Sequence, residues 1–288
     1  MRTVYLGTSE FASAVLRILA ASAHRPALVI TRPDRPRGRG RRMAAPPVAE
    51  LARELGIEVA QPESVNQAAA REQIAEVQPQ ALCVCAFGAL IKDPLISEHR
   101  ILNVHPSLLP RWRGAAPIER AIMAGDERTG VSIMLLDAGL DSGPVCVQRA
   151  EPILAADTYG MLAARLAAAG GELLVSTLTD APPCAEQNEA LATYAAKIGP
   201  ADRELDLSRP AAELERRVRA LTPHIGAVVK LPDGTSLAVR EARVVADAPE
   251  PGPRLILGTG AGALELLVVQ PPGRRAMTAG EYLRGRRS

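Results

Sequence analysis

Two polar side chains near the middle of the chain have types and a spacing that could hold and polarise a carbonyl group. Asn103 and His105 lie two residues apart at the end of a short apolar segment, and Pro106 follows them. On a β-strand, residues two apart point to one face, and proline ends the strand because it has no N–H to donate. An amide N–H and a protonated imidazole on one face can stabilise the oxyanion that forms when a nucleophile attacks a carbonyl carbon.

A carboxylate that would complete an acyl-transfer site follows the next apolar segment, in the loop Asp137-Ala138-Gly139-Leu140-Asp141-Ser142-Gly143. Glycines let such a loop approach a ligand closely, and Asp141 could orient the imidazole or accept a proton from an attacking amine. Taken singly, each residue has a simpler explanation. A strand-end Asn or His more often makes hydrogen bonds within a loop, and this aspartate and glycine spacing also occurs in turns and calcium-binding loops.

The first part of the chain has the strand and helix pattern of a mainly parallel α/β sheet. Residues 3–7 form an apolar strand, Thr8 or Ser9 can cap the next helix, and residues 26–31 form a second strand. This unit is Rossmann-like and pairs its strands in parallel, although it lacks the G-x-G-x-x-G of dinucleotide sites. Ligands bind at the carboxyl edge of such sheets, which is where Asn103 and His105 fall. More elements are predicted: strands at 80–87, 100–104, 130–136 and 144–150, and a helix from about Asp157 with Met161, Leu162, Leu166 and Leu173 on its apolar side.

The last part of the chain has a different pattern. Residues 179–200 are rich in Pro, Ala, Glu, Gln and Asn, which is typical of an interdomain linker. A helix over 210–221 and short strands at 227–231, 236–242, 254–258 and 264–269 then predict a small OB-like β-barrel. We therefore expect a catalytic domain over 1–178, a linker over 179–200 and a C-terminal barrel over 201–288.

Composition narrows the function classes. The formal net charge of the 288 residues is only +2, so any contact with nucleic acid must come from local basic patches. No apolar run approaches the roughly 20 residues of a membrane span, and the start reads as a strand rather than a signal peptide, which predicts a cytoplasmic protein. The histidines are scattered and predict no metal site. The cysteines lack C-x-x-C spacing and are predicted to be small buried hydrophobic side chains: Cys83, Cys85, Cys146 and Cys184.

One local basic patch stands out between the second strand and the next helix. Residues 32–42 contain six arginines against one aspartate, broken by prolines and glycines. Such a segment cannot pack into a core, so it predicts a mobile basic loop. Two interpretations remain open at this point: a solvated loop in an arginine-rich protein, or an arm that contacts the phosphates of a nucleic acid.

Taken together, these motifs resemble a known family. Asn-x-His-x-Ser-Leu-Leu-Pro over 103–110, followed by the Asp137–Gly143 loop, is similar to the signature of formyltransferases that use 10-formyltetrahydrofolate. Three further segments resemble the branch of that family that formylates methionine carried by initiator tRNA. They are Arg111-Trp112-Arg113-Gly114-Ala115-Ala116-Pro117-Ile118, the arginine-rich loop, and Gln270-Pro271-Pro272-Gly273-Arg274-Arg275-Ala276-Met277. The resemblance spans nearly the whole chain.

The resemblance implies a reaction and a role for each motif. A formyl group would move from 10-formyltetrahydrofolate to the α-amino group of methionine on initiator tRNA. Asn103 and His105 would hold the oxyanion, and Asp141 would accept a proton while favouring the cationic imidazole. By resemblance, the folate site comprises Phe87, Gly88, Leu90, Ser107, Leu108, Leu109, Pro110, Asp137 and Gly139. The residues placed near tRNA are Arg35, Arg37, Arg39, Arg41, Arg42 and Arg113. The resemblance implies no metal, and we expect a monomer.

The amino-acid sequence alone leaves several points open. Phe87 stands where the family often has Tyr, Lys92 also departs from the family form, and core packing of Phe87 is as well supported as contact with folate. The same site could formylate a small amine, such as an amino-sugar nucleotide or a purine precursor, although the arginine-rich loop and the appended barrel argue against it. A non-catalytic RNA-binding protein or a formyltetrahydrofolate hydrolase would also fit parts of this pattern.

Overall fold

The structure is a computed structural model that describes residues 1–37, 40, 42–245 and 254–286, with the side chain of Arg37 left out. The chain divides into two compact units. The first unit comprises Met1–Gly114, Thr129–Glu151 and Ala163–Tyr194. The second unit comprises Ala115–Arg128, Pro152–Leu162 and Ala195–Ser288.

The elements alternate between strands and helices in the first half of the chain, as predicted. In chain order they are β1 (Thr3–Gly7), α1 (Glu10–Ala20), β2 (Pro26–Ile30), β3 (Arg35–Arg37), β4 (Arg42–Ala44), α2 (Pro47–Glu54), β5 (Glu58–Ala60), α3 (Ala68–Val77), β6 (Ala81–Cys85), α4 (Leu95–Glu98), β7 (Ile101–His105), β8 (Arg113–Gly114), α5 (Pro117–Ala124), β9 (Arg128–Leu135), β10 (Val145–Pro152) and α6 (Tyr159–Asp180). A 3-10 turn (Glu189–Leu191) follows, and then β11 (Tyr194–Ala195), α7 (Pro200–Arg203), α8 (Ala211–Leu221), β12 (Ala227–Lys230), β13 (Ser236–Val245), β14 (Leu255–Gly258), β15 (Ala263–Gln270), β16 (Met277–Thr278) and α9 (Ala279–Arg284).

The first unit is built on a mainly parallel sheet, which confirms the predicted Rossmann-like arrangement. Within the described residues its strand order is β10-β9-β7-β6-β1-β2-β5. The pairs β1–β2, β1–β6, β6–β7 and β2–β5 are parallel, whereas β9 is antiparallel to β7. All five residues of β1, β6 and β7 are buried, because both faces of the central strands are covered. The change from parallel to antiparallel pairing therefore occurs at β7, the strand that carries Asn103 and His105.

Helices α1 and α6 pack closely on this sheet at two glycines. Ser9 caps α1, since its Oγ accepts a hydrogen bond from the N–H of Ala12 at 3.3 Å. At Gly7, which ends β1, a Cβ would lie 2.9 Å from the Cβ of Ala12, so the turn into α1 requires glycine. On α6, a Cβ at Gly170 would lie 2.8 Å from a methyl group of Val104. Glycine there lets the helix pack directly on β7.

Helix α6 is also the longest apolar helix of the structure. Among the described residues it alone has the length and composition of a membrane span, and 61% of its most apolar window is buried inside the protein. Leu162, Leu166 and Leu173 are buried, as predicted. Met161 was expected on the same apolar side but is 52% exposed, so that expectation was wrong. The helix is amphipathic at its start and its apolar stripe does not include that position.

The second unit contains an antiparallel sheet and the amphipathic helix α8. In the described part of this unit the strand order is β12-β13-β15-β14, and β16 also pairs with β15. The predicted helix and four strands are therefore confirmed. Leu214, Val218 and Leu221 of α8 are buried in the same core as Leu237 and Val239 of the sheet. No pairing between the edge strands closes this sheet within residues 195–245 and 254–286, so the antiparallel strands are confirmed and the predicted barrel is not.

The cysteines fall into two classes. Cys83 and Cys85 on β6 are fully buried, as predicted, and burial raises the pKa of each thiol to about 12. Cys146 and Cys184 are instead joined by a disulfide bond, so their prediction as small buried hydrophobic side chains was wrong. The two lie 38 residues apart, a separation from which no pairing could be read.

Candidate active site

Strand β7 presents Asn103 and His105 on one face at the end of the parallel part of the sheet. Asn103 pairs in register with Met134, and His105 pairs with Ser132. Both side chains are buried, with 8% of Asn103 and 4% of His105 exposed. The strand ends at His105, as the following proline predicted. Two polar side chains are thus held on a rigid buried element, which fixes their direction.

The structure brings Asp141 to these two side chains. Asn103 Nδ2 donates to Asp141 Oδ1 at 3.4 Å, and His105 Nδ1 lies 3.6 Å from Asp141 Oδ2. The backbone N–H of Gly114 donates to the same Oδ2 at 2.8 Å. Since an amide nitrogen carries two hydrogens, Asn103 can donate one to Asp141 and the other to a carbonyl oxygen. We name Asn103, His105 and Asp141 the triad.

A backbone carbonyl shows which ring nitrogen of His105 carries a hydrogen. The Nε2 atom lies 2.8 Å from the carbonyl oxygen of Trp112, and because a carbonyl only accepts, Nε2 must carry a hydrogen. The other ring nitrogen, Nδ1, is the one that faces Asp141. Trp112 has a φ of 63°, in the left-handed region that non-glycine residues adopt rarely. The turn after Pro106 therefore folds back to orient the imidazole.

The loop that carries Asp141 contains a second aspartate, Asp137, and two closely packed glycines. Asp137 Oδ1 accepts from the N–H of Gly139 at 3.1 Å, and Ser142 Oγ donates to Asp137 Oδ2 at 2.9 Å. A Cβ at Gly139 would lie 2.0 Å from Ser142 Oγ, and a Cβ at Gly143 would lie 2.0 Å from the carbonyl oxygen of Leu135. Gly143 requires glycine because the clash is with backbone, whereas at Gly139 the Ser142 hydroxyl can rotate away. Asp141 itself has a φ of 49°.

The segment after β7, predicted as a wall of the folate pocket, is fixed by neighbouring strands. Ser107 is fully buried, and its Oγ donates to the carbonyl of Arg111 at 2.6 Å. Ser132 Oγ donates to the carbonyl of Ser107 at 2.6 Å and accepts from the N–H of Leu109 at 3.1 Å. Gln148 Nε2 donates to the carbonyl of Leu109 at 2.9 Å. Leu109 is buried, whereas Leu108 and Pro110 are partly exposed.

The predicted pterin loop after β6 divides into buried and exposed residues. Phe87 is 5% exposed and belongs to a core cluster of the first unit, a placement that agrees with its packing interpretation. Gly88 has a φ of 71°, and its carbonyl accepts from Arg32 Nη1 at 2.5 Å. Leu90 is 67% exposed. The loop therefore offers the Leu90 side chain and the backbone around Gly88 to a ligand, and keeps the Phe87 ring inside.

The chain matches known proteins over nearly its whole length. Residues 1–178 match the family model described as formyl transferase, and residues 197–287 match the model of the formyl transferase C-terminal domain. The chain is 43% identical, over 98% of its length, to methionyl-tRNA formyltransferase from Methylococcus capsulatus, of which it covers 96%. The chain belongs to the methionyl-tRNA formyltransferase family. It is therefore a formyltransferase, and the resemblance in its motifs is confirmed.

Solved structures share its fold at low sequence identity. HypX from Aquifex aeolicus, in complex with tetrahydrofolic acid, has a TM-score of 0.66 and 17% identity, with 98% of this chain and 47% of that chain covered. An N-formyltransferase from Helicobacter canadensis, in complex with folinic acid and dTDP-3-aminofucose, has a TM-score of 0.68 and 15% identity, with 92% of this chain and 98% of that chain covered. These likenesses establish the fold. Formyltransferases of this family use formyl-tetrahydrofolate as the formyl donor.

The residues predicted to contact tRNA have different environments. The described residues Arg35–Arg37 and Arg42–Ala44 pair as the short antiparallel strands β3 and β4, where a loop was predicted. Arg35 is exposed and lies 3.9 Å from Glu63, and Arg42 is exposed. Gln61 Nε2 donates to the carbonyl of Arg32 at 2.9 Å and anchors the base of the hairpin. Three predictions lie outside the described residues: Arg39, Arg41 and the side chain of Arg37.

Arg113, which was predicted to contact tRNA, has a buried side chain in this structure. Its side chain is only 2% exposed. Its Nη2 lies 2.6 Å from Glu189 Oε1, and its Nε donates to Gln187 Oε1 at 3.0 Å. Hydrogen bonding to Glu189 raises the pKa of Arg113, and the same bond lowers the pKa of Glu189. Because the guanidinium is buried and donates to both Glu189 and Gln187, it is not accessible to a phosphate in this structure.

Several residues of the site carried no sequence signal of their role. Gln187 hydrogen-bonds the Asp141 loop, but it falls in the predicted linker, which was interpreted only as a connection. Ser132 and Gln148 hold the Ser107–Pro110 turn from two neighbouring strands. The period of two along β9 could have indicated that Ser132 and Met134 share a face. For Gln187 and Gln148 we find no such pattern.

Proposed function

We propose that this protein transfers the formyl group of 10-formyltetrahydrofolate to the α-amino group of methionine on initiator methionyl-tRNA, and that the triad carries the reaction. The observation that supports the triad most strongly is Asp141, whose two carboxylate oxygens face Asn103 and His105 separately. The named relative at 43% identity over nearly the whole chain supports the acceptor.

The reaction needs an oxyanion site and a proton acceptor, and no covalent nucleophile. The free amine of methionine attacks the formyl carbon, so a carbon–nitrogen bond forms and the carbonyl oxygen becomes negative. The amide of Asn103 and a proton on His105 Nδ1 stabilise that oxygen. Asp141 takes a proton from the attacking amine, directly or through water, and the bond from carbon to N10 of the folate breaks as that proton passes to N10.

We place the folate co-substrate against the turn after β7 and the two loops beside it. The turn contributes Ser107, Leu108, Leu109 and Pro110. The loops contribute Phe87, Gly88 and Leu90 on one side and Asp137 and Gly139 on the other. In this proposal the exposed Leu90 and the backbone of Gly88 make direct contact, whereas Phe87, Asp137 and Gly139 shape the pocket.

We further propose that Arg35, Arg37, Arg39, Arg41 and Arg42 contact the tRNA, since Arg35 and Arg42 lie exposed on the paired strands β3 and β4. The domain boundaries 1–178, 179–200 and 201–288 are retained as a proposal, with an OB-like C-terminal domain that also contacts tRNA. We expect a cytoplasmic monomer that needs no metal. Arg113 is excluded from this set because its side chain is buried.

The test is an acceptor panel with 10-formyltetrahydrofolate as donor. Charged initiator methionyl-tRNA is compared with uncharged tRNA, free methionine, an amino-sugar nucleotide and no acceptor, each at two salt concentrations. Transfer confined to the charged tRNA, and falling steeply with salt, is the expected result, because arginine contacts with phosphates release counterions. Preferred transfer to the amino-sugar nucleotide would overturn the acceptor, and equal loss of formyl-folate without acceptor would indicate a hydrolase.

A further inference from the structure

We propose that Gln187 is a positioning residue that fixes Asp141 for the reaction, and that Arg113 fixes Gln187 in turn. The inference rests on the proposed function, since it takes Asp141 as the proton acceptor of the triad. In the described part of the chain, Gln187 Nε2 donates to the backbone carbonyls of Asp141 and Gly143, so its effect acts through the backbone that carries Asp141.

The amide of Gln187 brackets the Asp141 loop. Its Nε2 donates to the carbonyl oxygen of Asp141 at 2.8 Å and to that of Gly143 at 2.7 Å, so both of its hydrogens are used. Its Oε1 accepts from Arg113 Nε at 3.0 Å and from Arg113 Nη2 at 2.9 Å. Carbonyls only accept and a guanidinium only donates, so the amide has one orientation that satisfies all four bonds.

The Asp141 loop needs such a bracket. Asp141 adopts a positive φ, and the loop continues through Gly143 rather than through a strand or a helix. Backbone carbonyls of a partly buried loop require hydrogen-bond donors, and a loop without regular structure cannot supply them itself. Gln187 supplies two donors from a segment 46 residues further along the chain. A shift of the carboxylate by about 1 Å would misplace it relative to Asn103 and His105.

The segment that carries Gln187 is itself anchored on both sides. Ala185 and Val145 exchange two backbone hydrogen bonds, of 2.8 and 2.9 Å, and the neighbouring residues Cys184 and Cys146 form the disulfide bond. On the other side, Glu189 accepts from both Nη atoms of Arg113, at 2.9 and 2.6 Å. The bracket is therefore tied to strand β10 as well as to Arg113.

Arg113 connects this bracket to the rest of the triad. The residue before it, Trp112, accepts the hydrogen bond from His105 Nε2, and the residue after it, Gly114, donates to Asp141 Oδ2. The Arg113 side chain thus hydrogen-bonds Gln187, while the backbones of its neighbours Trp112 and Gly114 hydrogen-bond His105 and Asp141. We infer that the segment around Arg113 keeps the Asp141 carboxylate and the His105 imidazole at a fixed distance from each other.

The decisive variant is Gln187→Glu in the full-length protein. The new side chain has the same size and keeps the oxygen that Arg113 binds, but it has no hydrogens to donate to the two loop carbonyls. Asn188→Asp is the matched control, because it adds the same charge one residue away and keeps the oxygen that accepts from the N–H of Ala190. Arg113→Lys is a second variant, which replaces the two hydrogen bonds from Arg113 to Gln187 by those of a single ammonium group.

We expect Gln187→Glu to lower kcat for formyl transfer about 10- to 100-fold, with KM for folate and for charged tRNA nearly unchanged, because misplacing a reacting group by about 1 Å costs about that factor. Arg113→Lys should lower kcat in the same direction, and Asn188→Asp should match the wild type. In an Asp141→Asn background the further loss from Gln187→Glu should disappear, since both changes act through one carboxylate.

Different results would contradict the positioning role of Gln187 and the proposed role of the triad. A Gln187→Glu protein with wild-type kcat, or a loss that is undiminished in the Asp141→Asn background, would overturn the positioning role. If Asp141→Asn itself keeps full turnover, the triad proposal fails instead. A melting temperature measured for each variant distinguishes lost positioning from unfolding: a loss of kcat in a folded variant supports the inference, and a loss explained by the unfolded fraction contradicts it.

Discussion

The two halves of the triad are positioned in different ways. Asn103 and His105 lie on β7, a buried strand paired on both sides, so the backbone alone aims both side chains at one face. Asp141 lies on a loop with a positive φ, and its position depends on hydrogen bonds from Gly114 and Gln187. The strand half is stabilised by the whole sheet, whereas the loop half is stabilised by a few polar contacts between distant segments.

Because the two halves are positioned differently, variants in the strand half and variants in the loop half should affect the reaction differently. Changes to the strand half should remove chemistry without moving the protein, because the sheet keeps its shape. Changes around the loop half should move a catalytic group, so their cost should depend on how far the loop can relax. Variants can therefore be ranked by which half they touch and whether they remove a group or displace it.

Among changes to the strand half, the largest effect is expected for Asn103→Ala. It removes an oxyanion donor from the strand half, and losing one such donor typically lowers kcat by a factor of about 10²–10³. KM for both substrates should change little, since the bound ground state does not carry the oxyanion charge. Steady-state kinetics with charged initiator tRNA measures both constants, and full turnover by this variant would contradict the role of Asn103.

A smaller loss of kcat is expected when a variant displaces the Asp141 loop than when it removes a catalytic group. In Gly143→Ala the new Cβ would lie 2.0 Å from the backbone oxygen of Leu135, so the loop must shift. We expect kcat to fall about 10-fold through misplacement of Asp141. Gly258→Ala is the control, because nothing lies within 4 Å of its Cβ position. If both alanine variants keep the wild-type kcat, the position of the loop matters less to the reaction than we infer.

The turn that follows β7 should respond mainly in folate binding and stability. Ser132→Ala removes a hydroxyl that joins the carbonyl of Ser107 to the N–H of Leu109, and it leaves buried polar groups without partners. Such a loss typically costs about 1–3 kcal/mol of unfolding free energy. Urea unfolding measures that cost, and KM for 10-formyltetrahydrofolate should rise while kcat falls less than in Asn103→Ala. A rise in KM for tRNA alone would argue against placing folate at this turn.

The smallest effect is expected for Glu189→Gln. The Glu189 side chain is 68% exposed, so solvent screens its charge, and the buried Arg113 keeps its hydrogen bonds to Gln187 when Glu189 is changed. The amide of the new glutamine still offers an oxygen to Arg113. We expect kcat within about 2-fold of the wild type on that ground. A loss as large as that of Gln187→Glu would mean that the charge pair, and not the amide bracket, holds Arg113.

The same division explains how much could be predicted from the sequence. The strands of the first unit, the face shared by Asn103 and His105, and helix α8 follow from local patterns of period two or 3.6, which the structure confirms. The pairing of Cys146 with Cys184 and the burial of Arg113 depend on contacts between residues far apart in the chain, and local patterns do not encode these. The predicted linker is the clearest case, because its Gln187 has a role only once the Asp141 loop is folded beside it.

The central claim is that Asp141 completes the site built on β7. Single-turnover formyl transfer from 10-formyltetrahydrofolate to charged initiator methionyl-tRNA, by wild-type protein and by Asp141→Asn, tests it most directly. We predict that the variant binds both substrates as the wild type does, yet transfers the formyl group at least about 10²-fold more slowly, the upper range for general base catalysis being about 10⁴. Transfer at the wild-type rate by Asp141→Asn would contradict the role of Asp141 in the triad.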